Sequence, residues 1–348
     1  MKIIRLFFQL VRGRFFRKEK RRFILLSLLL TLLLLFIVLL FARDFGTNKP
    51  IKWGVTFSKR YAIELNMNWQ EVFVEILYDL GAKRIRIPVY WDDVERTQGE
   101  YNFQDYDWMV RAADLVDAEV VLVLGRRQPR WPECFTPAWT DNLADSEVEE
   151  KILNLVEEEV NHFKQYKNIV SWQVENEPLL SIFGECPPPN KDFLEKEVAL
   201  VKSLDSRPII LTDSGELGSW SGVAGISDTI GTTMYRVVWN RSLGYTYYPL
   251  PPAYYRYRAD IIKYLNPNIN KIVISELQVE PWTEGIPMVT MTLESQYKSM
   301  SFERMQMNLR FAQATGFDEA YLWGVEWWYW LKLRQGVDEF WEYGKRLW

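Results

Sequence analysis

Short apolar runs and longer amphipathic stretches alternate along most of this chain. The runs fall at Ile51 to Thr56, Arg84 to Pro88, Val120 to Leu124, Ile169 to Val174, Ile209 to Leu211, Thr229 to Met234, Ile272 to Ile274 and Ala320 to Trp323. Runs of this length, bounded by turn residues, predict buried strands. The stretches between them carry helix starts and stops. Asn68 precedes a pattern from Trp69 to Leu80 that Gly81 ends, and Asp145-Ser146 precede a charged helix reaching Gln165. Eight strand–helix units in roughly 300 residues predict a (β/α)₈ barrel, one domain over residues 51–348. A doubly wound open sheet is the alternative. It would more often carry a glycine-rich phosphate loop after its first strand, and Gly54-Val55-Thr56-Phe57-Ser58 is not one. The long irregular stretches, Arg126 to Asp141, Leu179 to Pro189, Arg236 to Pro252 and Leu277 to Met288, all follow strands. In a barrel they belong to the face on which active sites are built.

The pattern breaks at the N-terminus. Residues 1–22 hold nine basic side chains against one acid, Glu19, and Phe23 to Ala42 is an uncharged run. At about 1.5 Å per residue such a run spans a hydrocarbon core of ~30 Å as a helix. A cleavable signal would have a shorter apolar stretch and a small-x-small site, which Phe41-Ala42-Arg43-Asp44 does not offer. The expectation is a basic cytoplasmic arm (1–22), an uncleaved single-pass transmembrane anchor (23–42) and a linker (43–50). The positive-inside rule then leaves the N-terminus inside and carries the barrel to the extracytoplasmic side of the cytoplasmic membrane. Phe7, Phe8, Phe15 and Phe16 interleave with the arm's basic residues, which suits anionic lipid. Without the arm, 33 basic residues face 45 acidic ones. Such a domain is a poor partner for nucleic acid.

Composition adds sixteen Trp and eighteen Tyr, more than a core normally uses, and many lie in the predicted loops. Flat rings there can stack on sugar faces, while the rest fill the barrel and its helix layer. Cys134 and Cys186 each follow a predicted strand end by about ten residues, on neighbouring loops. An oxidising compartment lets them pair; two free thiols are the alternative. No Cys/His spacing resembles a metal site, no cofactor is implied, and the single His162 reads as a surface residue of a charged helix.

The candidate chemistry is a pair of glutamates about a hundred residues apart, in Val174-Glu175-Asn176-Glu177-Pro178 and Ile274-Ser275-Glu276. Two carboxyls at the ends of separate parallel strands are the minimum equipment for cutting a glycosidic bond. Glu175 rivals Glu177, since strand alternation gives both the same parity.

With Asn176-Glu177-Pro178 ending the fourth strand and Glu276 ending the seventh, the chain resembles the clan A glycoside hydrolases. These are retaining (β/α)₈ enzymes that include cellulases, β-galactosidases and β-xylosidases. The resemblance covers essentially all of residues 51–348 and is carried by a few strand ends. It implies that Glu177 is the acid/base, Glu276 the nucleophile, and Asn176 the partner of a sugar 2-hydroxyl. It also implies that Arg86 holds the nucleophile ionised, that Tyr235 hydrogen-bonds it, and that Trp323 floors a sugar subsite. Glu280 and Trp282, in Glu280-Pro281-Trp282, become loop candidates for binding substrate.

The chain departs from the clan where some families place histidines after strand three and near strand six. Gly125-Arg126-Arg127-Gln128-Pro129-Arg130-Trp131 occupies the first place. Arg127, Gln128 and Trp131 are the candidate replacements. The arginines point to a charged glycan, or else tether acidic loops such as Glu133 and Asp141. The expected partner is an oligo- or polysaccharide at the cell surface, in the wall or secreted. Two other readings stay open: a catalytically silent glycan-binding or envelope-scaffold barrel, and a transglycosylase using the same two glutamates.

Overall fold

The computed structural model of the chain describes residues 2–46 and 50–348. Linker positions 47–49 and the side chains of 2–19 and 21, which include most of the basic arm, lie outside the described residues. Eight parallel strands close into a barrel: β1 (Lys52–Thr56), β2 (Arg84–Pro88), β3 (Glu119–Leu124), β4 (Ile169–Val174), β5 (Ile209–Asp213), β6 (Thr229–Met234), β9 (Lys271–Gln278) and β10 (Glu319–Trp323). Closure is made by β1 on β10, in register from Lys52↔Glu319 to Thr56↔Trp323. Each strand expected from the apolar runs is present. The intervening β7 (Val237–Asn240) and β8 (Gly244–Tyr247) form an antiparallel hairpin inside a stretch that reads from sequence as irregular. Their alternation is short and half-buried, so no apolar run marks it.

Strand alternation divides the barrel into two packings. Ile85 and Ile87, Val120 and Leu122, Trp172 and Val174, Ile209 and Leu211 belong to the large core between barrel and helices. Val121, Ile210 and Tyr321 form a small apolar cluster of their own. With this second parity run Arg86, Gln173 and Thr212, so the upper part of the barrel is polar and buried. Capping follows the sequence in part. Asn68 Oδ1 accepts from Gln70 N ahead of helix Trp69–Tyr78, whereas the charged helix Asp145–Phe163 starts after Ala144.

At the N-terminus the backbone is one helix, Lys2–Phe41. Its segment Arg22–Phe41 is long and apolar enough to cross a membrane. His162 is half-buried: Nε2 lies 2.8 Å from Asp107 Oδ1, and the ring packs on Phe103.

Candidate active site

At the end of β4 the chain leaves the sheet through two residues with left-handed backbone, Glu175 (φ 56°) and Glu177 (φ 43°). Alternation therefore stops at Val174, and the two glutamates do not share a fate. The Glu175 carboxylate accepts the backbone N–H groups of Arg126 and Arg127 and ties the β3 loop to the β4 loop. Gly125, at φ +93°, makes room for it: a Cβ there would stand 2.3 Å from Glu175 Oε1. Glu177 is instead placed by Thr212, whose Oγ1 accepts its backbone N–H at 2.7 Å, and by Thr233, whose Oγ1 lies 3.3 Å from its Oε1. Glu177 is buried, and its carboxyl is pushed well above the usual range, first by burial and then by the nearby Glu133 and Glu276. Both causes favour its protonated form.

The second carboxylate depends on a β-bulge. Ile272 and Ile274 face the helix layer, so unbroken alternation would send Glu276 there too. The register between β6 and β9 shifts so that Thr232 pairs with Ile274 but Thr233 with Glu276, and the opposite edge shifts as well. The extra residue, Ser275, reverses the parity and turns Glu276 inward. Arg86 then reaches across the barrel. Its Nη1 donates to Glu276 Oε1 at 3.0 Å, Nη2 to Asn176 Oδ1 at 2.8 Å, and Nε to Gln173 Oε1 at 2.7 Å. Tyr235 OH donates to the other carboxylate oxygen, Oε2, at 2.7 Å. Both oxygens of Glu276 are thus oriented, and Asn176 is fixed beside it by the same guanidinium.

Glu216 escaped sequence reasoning. It lies in the β5 loop, accepts from Tyr235 N at 2.9 Å and Tyr255 OH at 2.7 Å, and is pushed up to about 7 by burial. No motif marks it; its one signal is being an acid just past a strand end.

Two of the three arginines of the β3 loop, Arg127 and Arg130, are internally paired. Arg127 donates to Glu133 Oε2 from Nε and Nη2 at 2.9 and 2.6 Å, and to the carbonyls of Leu180 and Phe183. Burial lifts Glu133 to about 7 in spite of that partner. Cys134 and Cys186 form a disulfide beside this pair, joining the β3 and β4 loops. Arg130 pairs with Glu280 and lies 3.7 Å from Glu326, with its guanidinium 4.1 Å over the Trp323 ring and 3.5 Å over Tyr61. So Arg127 tethers an acidic loop, as one of the two sequence readings holds, although the acid is Glu133 and Asp141 stays exposed. Paired in this way, Arg127 and Arg130 give a charged glycan little purchase. Trp323 sits at the barrel mouth, with one ring face taken by Arg130. Gln128 is fully buried, donates from Nε2 to Gly125 O at 2.9 Å, and leaves Oε1 without a partner.

A series of aromatic rings leads in from the rim. Exposed Trp131 meets Phe183 with centroids 5.6 Å apart, Phe183 meets Trp282 at 5.9 Å, and Trp282 meets Tyr235 at 5.3 Å. Trp282 thus stands beside the residue that holds Glu276, and Phe183 is a ring the sequence did not single out.

No family model matches the chain, and no curated protein matches it either. Among solved structures it is similar to xylanase 10B from Thermotoga petrophila RKU-1, a complex with xylobiose, at 16% identity and TM-score 0.53 over 79% of this chain and 82% of that one. It is similar to a GH5_18 variant from Bifidobacterium longum subsp. longum, a complex with Manβ1-4GlcNAc, at 12% identity and TM-score 0.56 over 78% and 68%. A β-galactosidase from Marinomonas ef1 aligns at 12% identity and TM-score 0.51 over 78% and 54%. The chain shares the (β/α)₈ fold of these glycoside hydrolases, the fold that its resemblance to the clan implied.

Proposed function

We propose that this chain is a retaining glycoside hydrolase, with Glu177 as acid/base and Glu276 as nucleophile. The observation that carries the reading is the Arg86 guanidinium, which spans Asn176 and Glu276 while Tyr235 takes the second oxygen of Glu276. Such an arrangement aims one carboxylate at a reacting carbon and leaves its buried neighbour, Glu177, to hold a proton.

In the first step Glu276 attacks the anomeric carbon as Glu177 gives its proton to the departing glycosidic oxygen. A glycosyl ester forms on Glu276 and the bond to the leaving sugar breaks. In the second step Glu177, now a carboxylate, takes a proton from water, and the hydroxide oxygen displaces Glu276 at the same carbon. Asn176 is placed to bind the sugar 2-hydroxyl, and Gln128 offers its unpartnered Oε1 as a further acceptor. Trp282, with Trp131 and Phe183, supplies ring faces for the sugars flanking the cleaved bond. The substrate class is an oligo- or polysaccharide, as in the xylobiose and Manβ1-4GlcNAc complexes of similar structures.

The anchor reading belongs to the same proposal. The apolar segment and its basic flank support a single-pass protein with its N-terminus in the cytoplasm and its barrel outside, acting on a surface or secreted glycan.

The test is turnover by the full-length protein, in detergent, of a panel of aryl glycosides and polysaccharides beside Glu177→Gln and Glu276→Gln. Loss of at least a hundredfold in each variant, with retained anomeric configuration by NMR, supports the reading. A parent that turns over nothing but binds a glycan equally well with either substitution would replace it with a binding barrel.

A further inference from the structure

The apolar N-terminal helix does not end free. Its last turn lies on the helix Pro252–Leu265, where Tyr257 OH donates to Leu40 O at 3.0 Å. The Tyr257 ring meets Phe41 and Phe45 edge-on, with centroids 6.2 and 5.4 Å apart. Phe45 N donates to Ala314 O at 3.0 Å, so the first residues after the helix are fastened to the barrel and do not hang as a loose tether.

From Tyr257 the same helical face continues at i+4, i+7 and i+8 with Ile261, Tyr264 and Leu265. These side chains are 58%, 85% and 65% exposed, whereas Tyr255, Ala259 and Ile262 on the opposite face are buried against the barrel. The acid that flanks the stripe, Asp260, is paired with Arg256 at 3.1 Å. Three large apolar side chains in a row, continuous with the docking point of a candidate membrane span, form a patch that water does not reward. A tyrosine at its edge suits the boundary between lipid and water.

We propose that the Ile261–Tyr264–Leu265 face is seated in the surface of the bilayer that the N-terminal helix crosses. The inference rests on the anchor reading above and deepens it by fixing an orientation. The helix starts on the loop side of the barrel, and from Leu265 the chain turns into the first residue of β9, Lys271. The exposed stripe therefore lies toward the strand starts, away from the mouth. Glu276, the sixth residue of β9, and Glu177, just past the end of the six-residue β4, stand roughly 15–20 Å farther from the lipid, at ~3.3 Å per residue. The glycan served is one that extends beyond the membrane surface.

The chain's two cysteines are joined to each other, so a single introduced thiol can be labelled alone. Full-length Tyr264→Cys, Leu265→Cys and, as a mouth-side control, Ile182→Cys are labelled with an environment-sensitive fluorophore and reconstituted into phosphatidylcholine/phosphatidylglycerol vesicles with and without brominated lipid. Labels at 264 and 265 are expected to emit to the blue and to be quenched at least twofold more than the label at 182, which is 66% exposed on the β4 loop. Equal quenching at all three positions overturns the inference. So does cross-linking of 264 to 264 without lipid quenching, which would assign the stripe to a second copy of the chain. Release of the chain by alkaline extraction overturns the anchor and this inference together; retention with an unquenched 264 overturns only the inference.

Discussion

Arg86 donates to Glu276 from inside the barrel, with Nη1 3.0 Å from Oε1 on an arginine that is 1% exposed. The planar fork also serves Gln173 and Asn176, and a lysine cannot reproduce those three directions. Arg86→Lys is expected to lower kcat/KM at least a hundredfold while leaving a folded protein. Arg86→Ala, which strands a buried carboxylate, should also lose roughly 3–5 kcal/mol of stability. Steady-state kinetics with a melting curve separates the two effects, and an Arg86→Lys variant within threefold of the parent would contradict the assigned role.

Tyr235→Phe removes the donor to Glu276 Oε2 and keeps the ring beside Trp282. A hydrogen bond to a carboxylate at a reacting group is worth about 1.5–3 kcal/mol, so kcat should fall roughly ten- to a hundredfold with KM little changed. Glu216→Gln, one bond farther out, should produce a smaller fall in the same direction, since Glu216 holds the backbone of Tyr235.

The alkaline limb of the pH profile should report the Glu177 proton. Glu133 raises the Glu177 pKa and Arg127 lowers it. Glu133→Gln removes the first and frees the second, so both changes favour the ionised acid/base. The alkaline limb of kcat/KM is expected to move to lower pH, and a limb that stays in place or moves up would refute the coupling.

Stability should also depend on pH in a stated direction. Burial lifts Glu326 from its ordinary 4.5 to about 7, against the pull of Arg130 and the Ser58 N–H, and Glu216 rises likewise. In the folded chain these groups hold protons that the unfolded chain releases near pH 4.5. Their contribution is therefore complete below that pH and is lost as the pH climbs through about 7. The denaturant midpoint should be higher at pH 5 than at pH 8, and Glu326→Gln should flatten that slope. Asp93, held low by Lys59 and Arg96, acts oppositely and only in acid.

The Cys134–Cys186 bond spans 52 residues and holds the loop that carries Arg127 and Glu133. Replacing both cysteines by serine is expected to cost roughly 2–4 kcal/mol, read from chemical denaturation. Activity should fall with stability, because the same loop sets the surroundings of Glu177.

Much of the barrel was legible because parallel strands buried on both faces write themselves as apolar runs. The candidate site was legible only at its strand ends. Asn176, Glu177 and Glu276 stand in short motifs, but the parity that turns Glu276 inward comes from a bulge at Ser275 that no residue type announces. The left-handed turn at Glu175 likewise defeats the alternation that made it a rival to Glu177. Glu216 and the β7–β8 hairpin went unread because their roles come from tertiary contacts among half-buried loop residues. Glu133, the partner of Arg127, was visible from the sequence, but the partner of Arg130 was not. Glu280 is 150 residues away, and its place over Gly324 requires a backbone at φ +108° where a Cβ would stand 2.2 Å from it.

The ring series from Trp131 to Tyr235 also has a shape. Successive planes turn by 70°, 56° and 87°, so the wall winds and offers no continuous flat floor. A stiff, flat ribbon of sugars could lie against one ring at a time, whereas a chain that twists at each linkage could keep contact with all of them. On the proposed function, the curvature of the polymer, as much as the identity of its monomer, is then a property this cleft would select.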